Sequence, residues 1–294
     1  MTATAEKMTT RATYAIDVED VEYVRHGDKP LLATLFKPKG KGPFPILIDL
    51  HGGAWCNGDR HNDKLLNEAL AKSGILVVAL DFRVPPQSGY PGSIADANYA
   101  VRWLKANAAK WNARADRIGM IGISSGGHQG MLGAMRHDDP RYAAIPHAGP
   151  QDARVDCVVM LWPVIDPIGR YRTAKAIVAK GGDYPEQFAR VLPSHDKYWG
   201  SEAAMAEGAP ATALENGEKV ELPPVLYVQG TADQVHPREQ LERFVAAYRK
   251  RGGVVDLALY EGEVSGFITG AASNPENARA ALARTIDFLH HHLS

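Results

Sequence analysis

The sequence predicts an α/β fold: a mainly parallel central sheet flanked by helices. Short apolar runs of strand length alternate with segments of helical composition along most of the chain. The 294 residues are 45% hydrophobic and 23% charged, which is enough to bury one large core. Because alternating strands and helices form parallel sheets that are covered on both faces, we expect one domain over residues 1–294.

The first predicted element is a β-hairpin. Residues 14–24 and 30–37 alternate apolar and polar side chains, as strands with one solvated face do. Gly27 and Asp28 lie between the two runs and favour a tight turn. The fold is therefore expected to begin with two antiparallel strands.

Six more strands are predicted from apolar runs of the kind that are buried on both faces. They cover residues 45–50, 75–80, 117–122, 155–161, 224–229 and 254–260. Helical composition is found over residues 63–73, 93–109, 125–136, 237–251 and 275–291. Ser93 and Asp96 have the spacing of a capping box at the start of the second of these helices.

Residues 166–222 interrupt this alternation, because they contain no convincing strand pattern. A structureless loop of that length is improbable in a compact domain, so we expect an inserted helical cap over the carboxyl edge of the sheet. A surface excursion with no role in binding is the alternative. If the segment is a cap, then Trp55, Tyr198 and Trp199 are candidate substrate-binding walls, although aromatic residues there can equally be ordinary packing.

Composition narrows the function classes. The net charge of -1 and the absence of a Lys/Arg cluster give no footprint for nucleic acid or for an anionic membrane surface. Cys56 and Cys157 are far apart and have no ligand-like spacing, so two reduced thiols and a cytoplasmic location are expected. Residues 1–17 are polar and do not have the pattern of a signal peptide or membrane anchor.

The strongest chemical signal is the segment Gly122-Ile123-Ser124-Ser125-Gly126, which follows an apolar strand and precedes a helix. In such a G-x-S-x-G turn the central serine projects above the sheet, and glycines are required where backbone and helix crowd the turn. Ser124 is therefore the candidate nucleophile. The Ser125 amide, at the helix start, would point at a developing oxyanion.

A second segment, His51-Gly52-Gly53-Ala54-Trp55, comes directly after a predicted strand. Small residues let a substrate carbonyl approach the backbone, so Gly53 and Ala54 are the preferred oxyanion donors and Gly52 is a further candidate. A glycine pair can also simply turn the chain. For His51 a structural role is favoured over a catalytic one.

These two segments, together with Asp81-Phe82-Arg83 and Gly230-Thr231-Ala232-Asp233, resemble the α/β-hydrolase superfamily over residues 45–294. The hormone-sensitive-lipase-like carboxylesterases are the most similar group within it. The resemblance implies ester hydrolysis through an acyl-enzyme, with Ser124 as nucleophile and Asp233 as the acid of a catalytic triad. Asp166 is a second, less favoured candidate for the acid.

The family's histidine does not transfer, because its place after the last strand reads Val264-Ser265-Gly266-Phe267. His236 is expected at the start of the following helix, where it caps or lines an interface rather than reaching Ser124. His128 is expected to point into helix packing. With Ser265 in place of an imidazole, turnover should be very low, because a serine hydroxyl cannot accept a proton at neutral pH.

Several functions stay open at this point. One is a carboxylesterase whose histidine was replaced deliberately, which leaves a nearly inactive protein. Another is a natural non-catalytic member that binds a small ligand, similar to plant gibberellin receptors. Acyl transfer uses the same groups, and amide or formamide cleavage is possible because the His-Gly-Gly-x-Trp segment is similar to that of kynurenine formamidases. The expected partner is a small ester, with no metal or organic cofactor, and the chain is a candidate homodimer.

Overall fold

The computed structural model describes residues 13–181, 186–270 and 272–294. Its centre is an eight-stranded sheet in the order β1-β2-β4-β3-β5-β6-β7-β8. The strands are β1 (Ile16–His26), β2 (Lys29–Pro38), β3 (Phe44–Leu50), β4 (Leu76–Leu80), β5 (Ala113–Ile123), β6 (Cys157–Leu161), β7 (Val225–Gly230) and β8 (Val255–Tyr260). β2 pairs antiparallel with β1 and with β4, and every other pairing is parallel. The predicted hairpin and the mainly parallel sheet are confirmed.

The five predicted helices are present, with bounds within two residues of those expected. They are α1 (Lys64–Lys72), α2 (Gly92–Asn107), α3 (Ser125–Met135), α8 (Arg238–Lys250) and α9 (Pro275–Leu293), and a short 3-10 helix over Ala108–Trp111 follows α2. Among the described residues, no helix combines the length and the apolar character needed to cross a membrane.

The sheet is buried on both faces because successive side chains of each central strand point to opposite sides. Along β6, Val158 and Met160 pack beneath α3 and α8, whereas Val159 and Leu161 pack beneath α1 and α9. Cys157 belongs to the second of these layers and, like the half-buried Cys56, is a free thiol. The continuous apolar runs therefore predict central strands correctly.

The capping box predicted at Ser93 and Asp96 is not formed. The helix begins one residue earlier, at Gly92, and Pro91 is its N-cap. The Ser93 hydroxyl lies 2.7 Å from the hydroxyl of Tyr198, and the buried Asp96 carboxylate accepts hydrogen bonds from the Arg83 amide and guanidinium. Long-range partners of these two polar side chains replaced the local hydrogen bonds that the spacing favours.

Four helices occupy the segment between β6 and β7. They are α4 (Pro167–Lys180), α5 (Gln187–Trp199), α6 (Glu202–Glu207) and α7 (Pro210–Glu215), and residues 182–185 lie outside the described part of the chain. The start of α4 is fixed by the carboxylate of Asp166, which accepts a hydrogen bond from the Gly169 amide and pairs with Arg243. Asp166 is thus a helix cap. We retain the interpretation of residues 166–222 as a cap as a prediction.

Candidate active site

Ser124 lies in the turn between β5 and α3, with φ of +52° and ψ of -114°. This left-handed φ is unfavourable for a residue with a side chain and persists only where the surroundings determine it. The Ser124 amide donates to the carbonyl of Leu161, and its carbonyl accepts from the amide of Val164, each at 3.0 Å. The turn is therefore held to β6, and the serine is fixed at the carboxyl end of the sheet.

The glycines of this turn are required by close backbone contacts. A Cβ at Gly122 would lie 2.4 Å from the carbonyl carbon of Gly126, and a Cβ at Gly126 would lie 1.9 Å from the carbonyl oxygen of Leu50. Neither contact can be relieved by moving a flexible side chain. The crowding predicted for the G-x-S-x-G turn is confirmed.

An imidazole does reach Ser124. The hydroxyl oxygen of Ser124 lies 3.2 Å from Nε2 of His236, and Nδ1 of His236 lies 2.8 Å from Oδ2 of Asp233. The expectation that His236 stays away from the serine is therefore wrong. The expectation that Asp233 has no imidazole to orient is wrong for the same reason.

The physical reason is the course of the loop between β7 and α8. His236 precedes the helix, which begins at Arg238, so its side chain is not committed to a helix face. The Oδ1 atom of Asp233 accepts hydrogen bonds from the amides of Val235 and His236, at 2.9 and 3.1 Å, and these bonds fold the loop back on itself. The side-chain amide of Gln229 donates to the His236 carbonyl at 2.7 Å. Three hydrogen bonds thus place the imidazole.

The hydrogen bonds also select its tautomer. Because Asp233 can only accept, Nδ1 of His236 carries the proton and Nε2 accepts from the Ser124 hydroxyl. Burial disfavours the charge of Asp233, whose side chain is 1% exposed, but His236 and the two loop amides outweigh it and lower the pKa of this carboxyl. The arrangement places Nε2 of His236 to take the serine proton.

Ser265 lies on the loop after β8 and lines the same cavity as Ser124 and His236, which has a volume of about 680 Å³. Its hydroxyl makes no hydrogen bond with any described residue. The view of Ser265 as the vacant place of a required histidine is therefore corrected, because the imidazole comes from the loop after β7 instead.

The segment after β3 forms a tight loop along the cavity. Gly53, Ala54 and Trp55 have φ values of +119°, +51° and +62°, and the Gly53 carbonyl accepts from the amides of Cys56 and Asn57. A Cβ at Gly53 would lie 1.9 Å from the carbonyl oxygen of Asn57, so glycine is required there. Within the described part of the chain, the amides of Gly53 and Ala54 donate to no protein group, and both residues line the cavity.

The other two candidate donors lie close to the serine turn. Gly52 packs against it, since a Cβ there would lie 3.2 Å from the Ile123 carbonyl oxygen. Ser125 is the first residue of α3, and the first amides of a helix have no intrahelical partner. Neither Gly52 nor Ser125 is among the described residues that line the cavity. Their role as oxyanion donors stays a prediction.

His51 makes the structural contacts that were expected of it. Its Nδ1 atom lies 2.7 Å from the Gly52 carbonyl, and its ring stacks on Phe82 with centroids 4.2 Å apart. Burial lowers the pKa of this imidazole, which favours the neutral form.

Trp55, Tyr198 and Trp199 form a buried aromatic cluster rather than substrate walls. The Trp55 ring stacks on Tyr198 at 5.6 Å and meets Trp199 edge to face at 5.5 Å. None of the three is among the described residues lining the cavity, so their prediction as substrate contacts is corrected. His128 completes the cluster: its Nδ1 atom accepts from Trp55 Nε1, and burial lowers its pKa to about 4.

Sequence reasoning missed the side of the cavity formed by α4 and α5. Arg170, Arg190, Val191 and Ser194 line it there. Nothing in the sequence distinguishes these residues from other members of charged helices, because their position depends on how the two helices pack on the sheet.

Comparison with known families gives one match that covers most of the chain: residues 32–248 match the family model described as BD-FAE. Among curated proteins, esterase LipC of Mycobacterium tuberculosis is 29% identical over 271 residues, which cover 88% of this chain and 63% of LipC. A probable isoprenylcysteine alpha-carbonyl methylesterase, ICMEL1 of Oryza sativa, is 26% identical over 82% of this chain and 55% of its own length. The chain thus spans less than two thirds of these relatives.

Solved structures with the same architecture include Est2 of Thermogutta terrifontis with propionate bound. It has a TM-score of 0.72 and 22% identity, and the match covers 93% of this chain and 94% of Est2. Carboxyl esterase 2 of Tuber melanosporum has a TM-score of 0.74 and 20% identity, over 96% of this chain and 89% of its own. At these identities the comparison establishes the shared fold.

Proposed function

The chain belongs to the BD-FAE family and has the α/β-hydrolase fold, and from this premise we propose that it is an active carboxylic ester hydrolase. The observation that supports the proposal best is the continuous hydrogen-bonded chain from the Ser124 hydroxyl through His236 to Asp233. A hydroxyl, an imidazole and a carboxylate in this order are the groups that serine hydrolases use to make and break an acyl-enzyme.

In the proposed first step, Ser124 attacks the carbonyl carbon of the ester. The hydroxyl proton passes to Nε2 of His236, and the imidazolium that forms is stabilised by Asp233, 2.8 Å from Nδ1. When the tetrahedral intermediate collapses, the C–O bond to the alcohol breaks and His236 returns the proton to the leaving oxygen. The products are the free alcohol and an ester of Ser124.

The negative charge on the carbonyl oxygen of the intermediate needs hydrogen-bond donors in the cavity. Gly53 and Ala54 supply free amides on its wall, and the start of α3 supplies the Ser125 amide. We assign the oxyanion site to these three donors, with Gly52 as a fourth candidate. Such fixed backbone donors are among the largest contributions to acyl-transfer catalysis.

In the proposed second step, water is the nucleophile and the Ser124 oxygen is the leaving group. A water molecule that enters the cavity gives its proton to His236 and attacks the acyl carbon, and the returning proton restores the Ser124 hydroxyl as the acid leaves. The cavity of about 680 Å³ has room for an ester of small to moderate size. The substrate is therefore proposed to be a small-molecule carboxylic ester.

The position of His236 weakens one of the alternative functions predicted from the sequence and leaves the others as they were. The non-catalytic, receptor-like interpretation rested on a missing imidazole, and His236 removes that ground. Amide cleavage and acyl transfer use the same groups as ester hydrolysis. We favour the ester because both relatives described above are named as esterases. Added alcohol or amine acceptors, followed by product analysis, measure how much acyl group goes elsewhere than to water.

The proposal is tested by hydrolysis of 4-nitrophenyl butyrate together with labelling by a fluorophosphonate probe. The unchanged chain should hydrolyse the ester and carry the probe on Ser124, as located by peptide mass spectrometry. Ser124→Ala should lose both properties. If the unchanged chain is neither labelled nor active on short-chain esters, the proposed function is wrong.

The variant Ser265→His separates this proposal from the view of an inactivated enzyme. Since His236 already serves Ser124, a second imidazole on the loop after β8 should give no large gain in rate. A gain of several orders of magnitude would show that His236 does not act as the base.

A further inference from the structure

Arg170 is a buried cation on the wall of the candidate active site. It lies on α4, its side chain is 1% exposed, and it lines the cavity that also contains Ser124 and His236. Its guanidinium carbon lies 5.4 Å from the centre of the Trp55 ring, and its Nε atom lies 3.5 Å from Nε2 of His195. Of its other two nitrogens, Nη2 is buried and has no hydrogen-bond partner among the described residues.

The other buried arginines in the described part of the chain are satisfied by the protein. Arg136, with 8% of its side chain exposed, pairs with Glu207 at 2.7 Å and with Glu218 at 2.8 Å. Arg102 donates to the side chain of Asn98 and to the carbonyl of Ile145. No carboxylate oxygen of a described residue lies within 4.0 Å of a guanidinium nitrogen of Arg170. Among the described residues, Arg170 is thus the buried arginine that has no carboxylate within ion-pair distance and also a buried guanidinium nitrogen without a hydrogen-bond partner.

Arg170 keeps its charge at neutral pH. Burial lowers the pKa of this guanidinium to about 9, against the opposing influence of Asp233, and this value is still above 7. The neighbouring His195 cannot neutralise it: its Nδ1 atom bonds to the Val191 carbonyl, and burial lowers its pKa to about 3. A charge that is buried without an anion is costly, and a ligand that supplies the anion removes that cost.

We infer that Arg170 binds a carboxylate carried by the substrate, so that the preferred substrates are small anionic esters. The inference rests on the proposed ester hydrolysis and narrows its substrate class. A planar guanidinium with free N–H groups matches the geometry of a carboxylate, and hydrogen bonds between charged groups are the strong ones. The exposed Arg190 on the same wall adds positive charge near the cavity mouth. The preference for anionic over neutral esters comes from the buried Arg170, because solvent screens the charge of the exposed Arg190.

The test compares esters that differ only in charge. Mono-4-nitrophenyl glutarate and 4-nitrophenyl 5-methylhexanoate place a carboxylate or an isopropyl group at the same point of the acyl part. The pair 3-acetoxypropanoate and 3-methylbutyl acetate does the same in the alcohol part. Rates without enzyme are subtracted. The wild type should prefer the anionic member of at least one pair by roughly 10- to 100-fold in kcat/KM.

The substitution Arg170→Met should abolish that preference, because the loss in kcat/KM falls on the anionic member of the pair. Labelling of Ser124 by the fluorophosphonate probe and a cooperative thermal unfolding transition show that the variant is folded. Arg172→Met is the matched control, since Arg172 lies on the same helix, is exposed and pairs with Glu202. It should keep the wild-type preference. Equal losses on both members of a pair would overturn the inference, because they would indicate a structural role for Arg170.

A second measurement needs no variant. 5-Methylhexanoate and its neutral amide, 5-methylhexanamide, are compared as inhibitors of neutral-ester hydrolysis by the wild type, and the carboxylate should inhibit at a concentration about tenfold lower or less. Equal inhibition, or no preference in either ester pair, also overturns the inference. If no ester of either kind is hydrolysed, the failure lies in the proposed function and not in the assignment of Arg170.

Discussion

The imidazole of His236 is hydrogen-bonded to the carboxylate of Asp233, at 2.8 Å, although only three positions of the same loop separate the two residues. The other carboxylate oxygen of Asp233 binds the backbone of that loop, including the amide of His236 itself. One side chain thus shapes the loop and orients the base. The first prediction follows from this double role.

Replacement of the base, His236→Ala, should lower kcat for a neutral ester by on the order of 10⁴-fold or more, because the serine hydroxyl then has no proton acceptor. The KM should change little. The exposed imidazole of His61 provides the control, and His61→Ala should retain wild-type rates. Steady-state kinetics measure kcat and KM of both variants. A loss of less than tenfold in kcat for His236→Ala would assign the base to another group.

Gln229 is predicted to act as a positioning residue through the hydrogen bond to the carbonyl of His236. In Gln229→Met we expect kcat to fall by about tenfold while KM stays constant, since the imidazole loses one of three restraints. Gln240 is a buried glutamine whose side-chain nitrogen has no partner among the described residues. Gln240→Met should leave kcat unchanged. Parallel losses of kcat in both variants would point to a general effect on stability.

Gly126→Ala should destabilise the fold by about 3 kcal/mol or more, because the new methyl group would lie 1.9 Å from the Leu50 carbonyl oxygen. Gly130, one turn later on α3, has its nearest contact at 3.5 Å. Gly130→Ala should therefore be neutral or stabilising by up to about 1 kcal/mol, as alanine favours helix. Urea denaturation measures both. Similar stabilities for the two variants would mean that the turn can relax.

A buried carboxyl pair, Asp49 and Asp63, should make stability depend on pH. Asn67 donates to one oxygen of Asp49, while Asp49 Oδ1 and Asp63 Oδ2 have no partner among the described residues. Burial raises the pKa of Asp49 well above its ordinary value and that of Asp63 to about 6. Both groups hold a proton more tightly in the folded chain. The contribution of Asp63 to stability is complete below pH 3.8 and is lost as the pH rises through about 6, and that of Asp49 changes with pH in the same direction.

Asp63→Asn removes one of these groups while keeping its shape. At pH 7.5 its Tm should exceed that of the wild type by about 3 °C or more, and the difference should shrink toward pH 4.5. The exposed Asp138 serves as control, and Asp138→Asn should shift Tm equally little at both pH values. Differential scanning calorimetry makes the comparison. A gain for Asp63→Asn that is independent of pH would contradict the assigned protonation.

The fold could be predicted because burial itself is visible in the sequence. β4 and β6 are continuous apolar runs, and all their residues are buried. Local polar signals were less reliable. Ser93 and Asp96 have the spacing of a cap, yet each is bound by a residue far along the chain, Tyr198 and Arg83. The spacing of two residues in the sequence does not identify such distant partners.

The site was predictable where backbone geometry restricts the residue type. Ser124 is flanked by glycines that the turn requires, so its motif is specific. His236 was missed because proximity to Asp233 in sequence was interpreted as a shared helix start. The signal was nevertheless present: an aspartate can bind the amides two and three residues later and turn the chain, and Pro237 separates that turn from α8. The residues of α4 and α5 that line the cavity have no comparable pattern in the sequence.

Placing acid and base on one short loop has a mechanical effect. Small movements of that loop carry both groups together, so the spacing between carboxylate and imidazole is insulated from relative motion of neighbouring strands. In the proposed mechanism, the residues that follow β8 take no part in proton transfer. Substitutions of Ser265, which lines the cavity, can therefore change the shape of that wall for new esters while Ser124, His236 and Asp233 keep their hydrogen bonds.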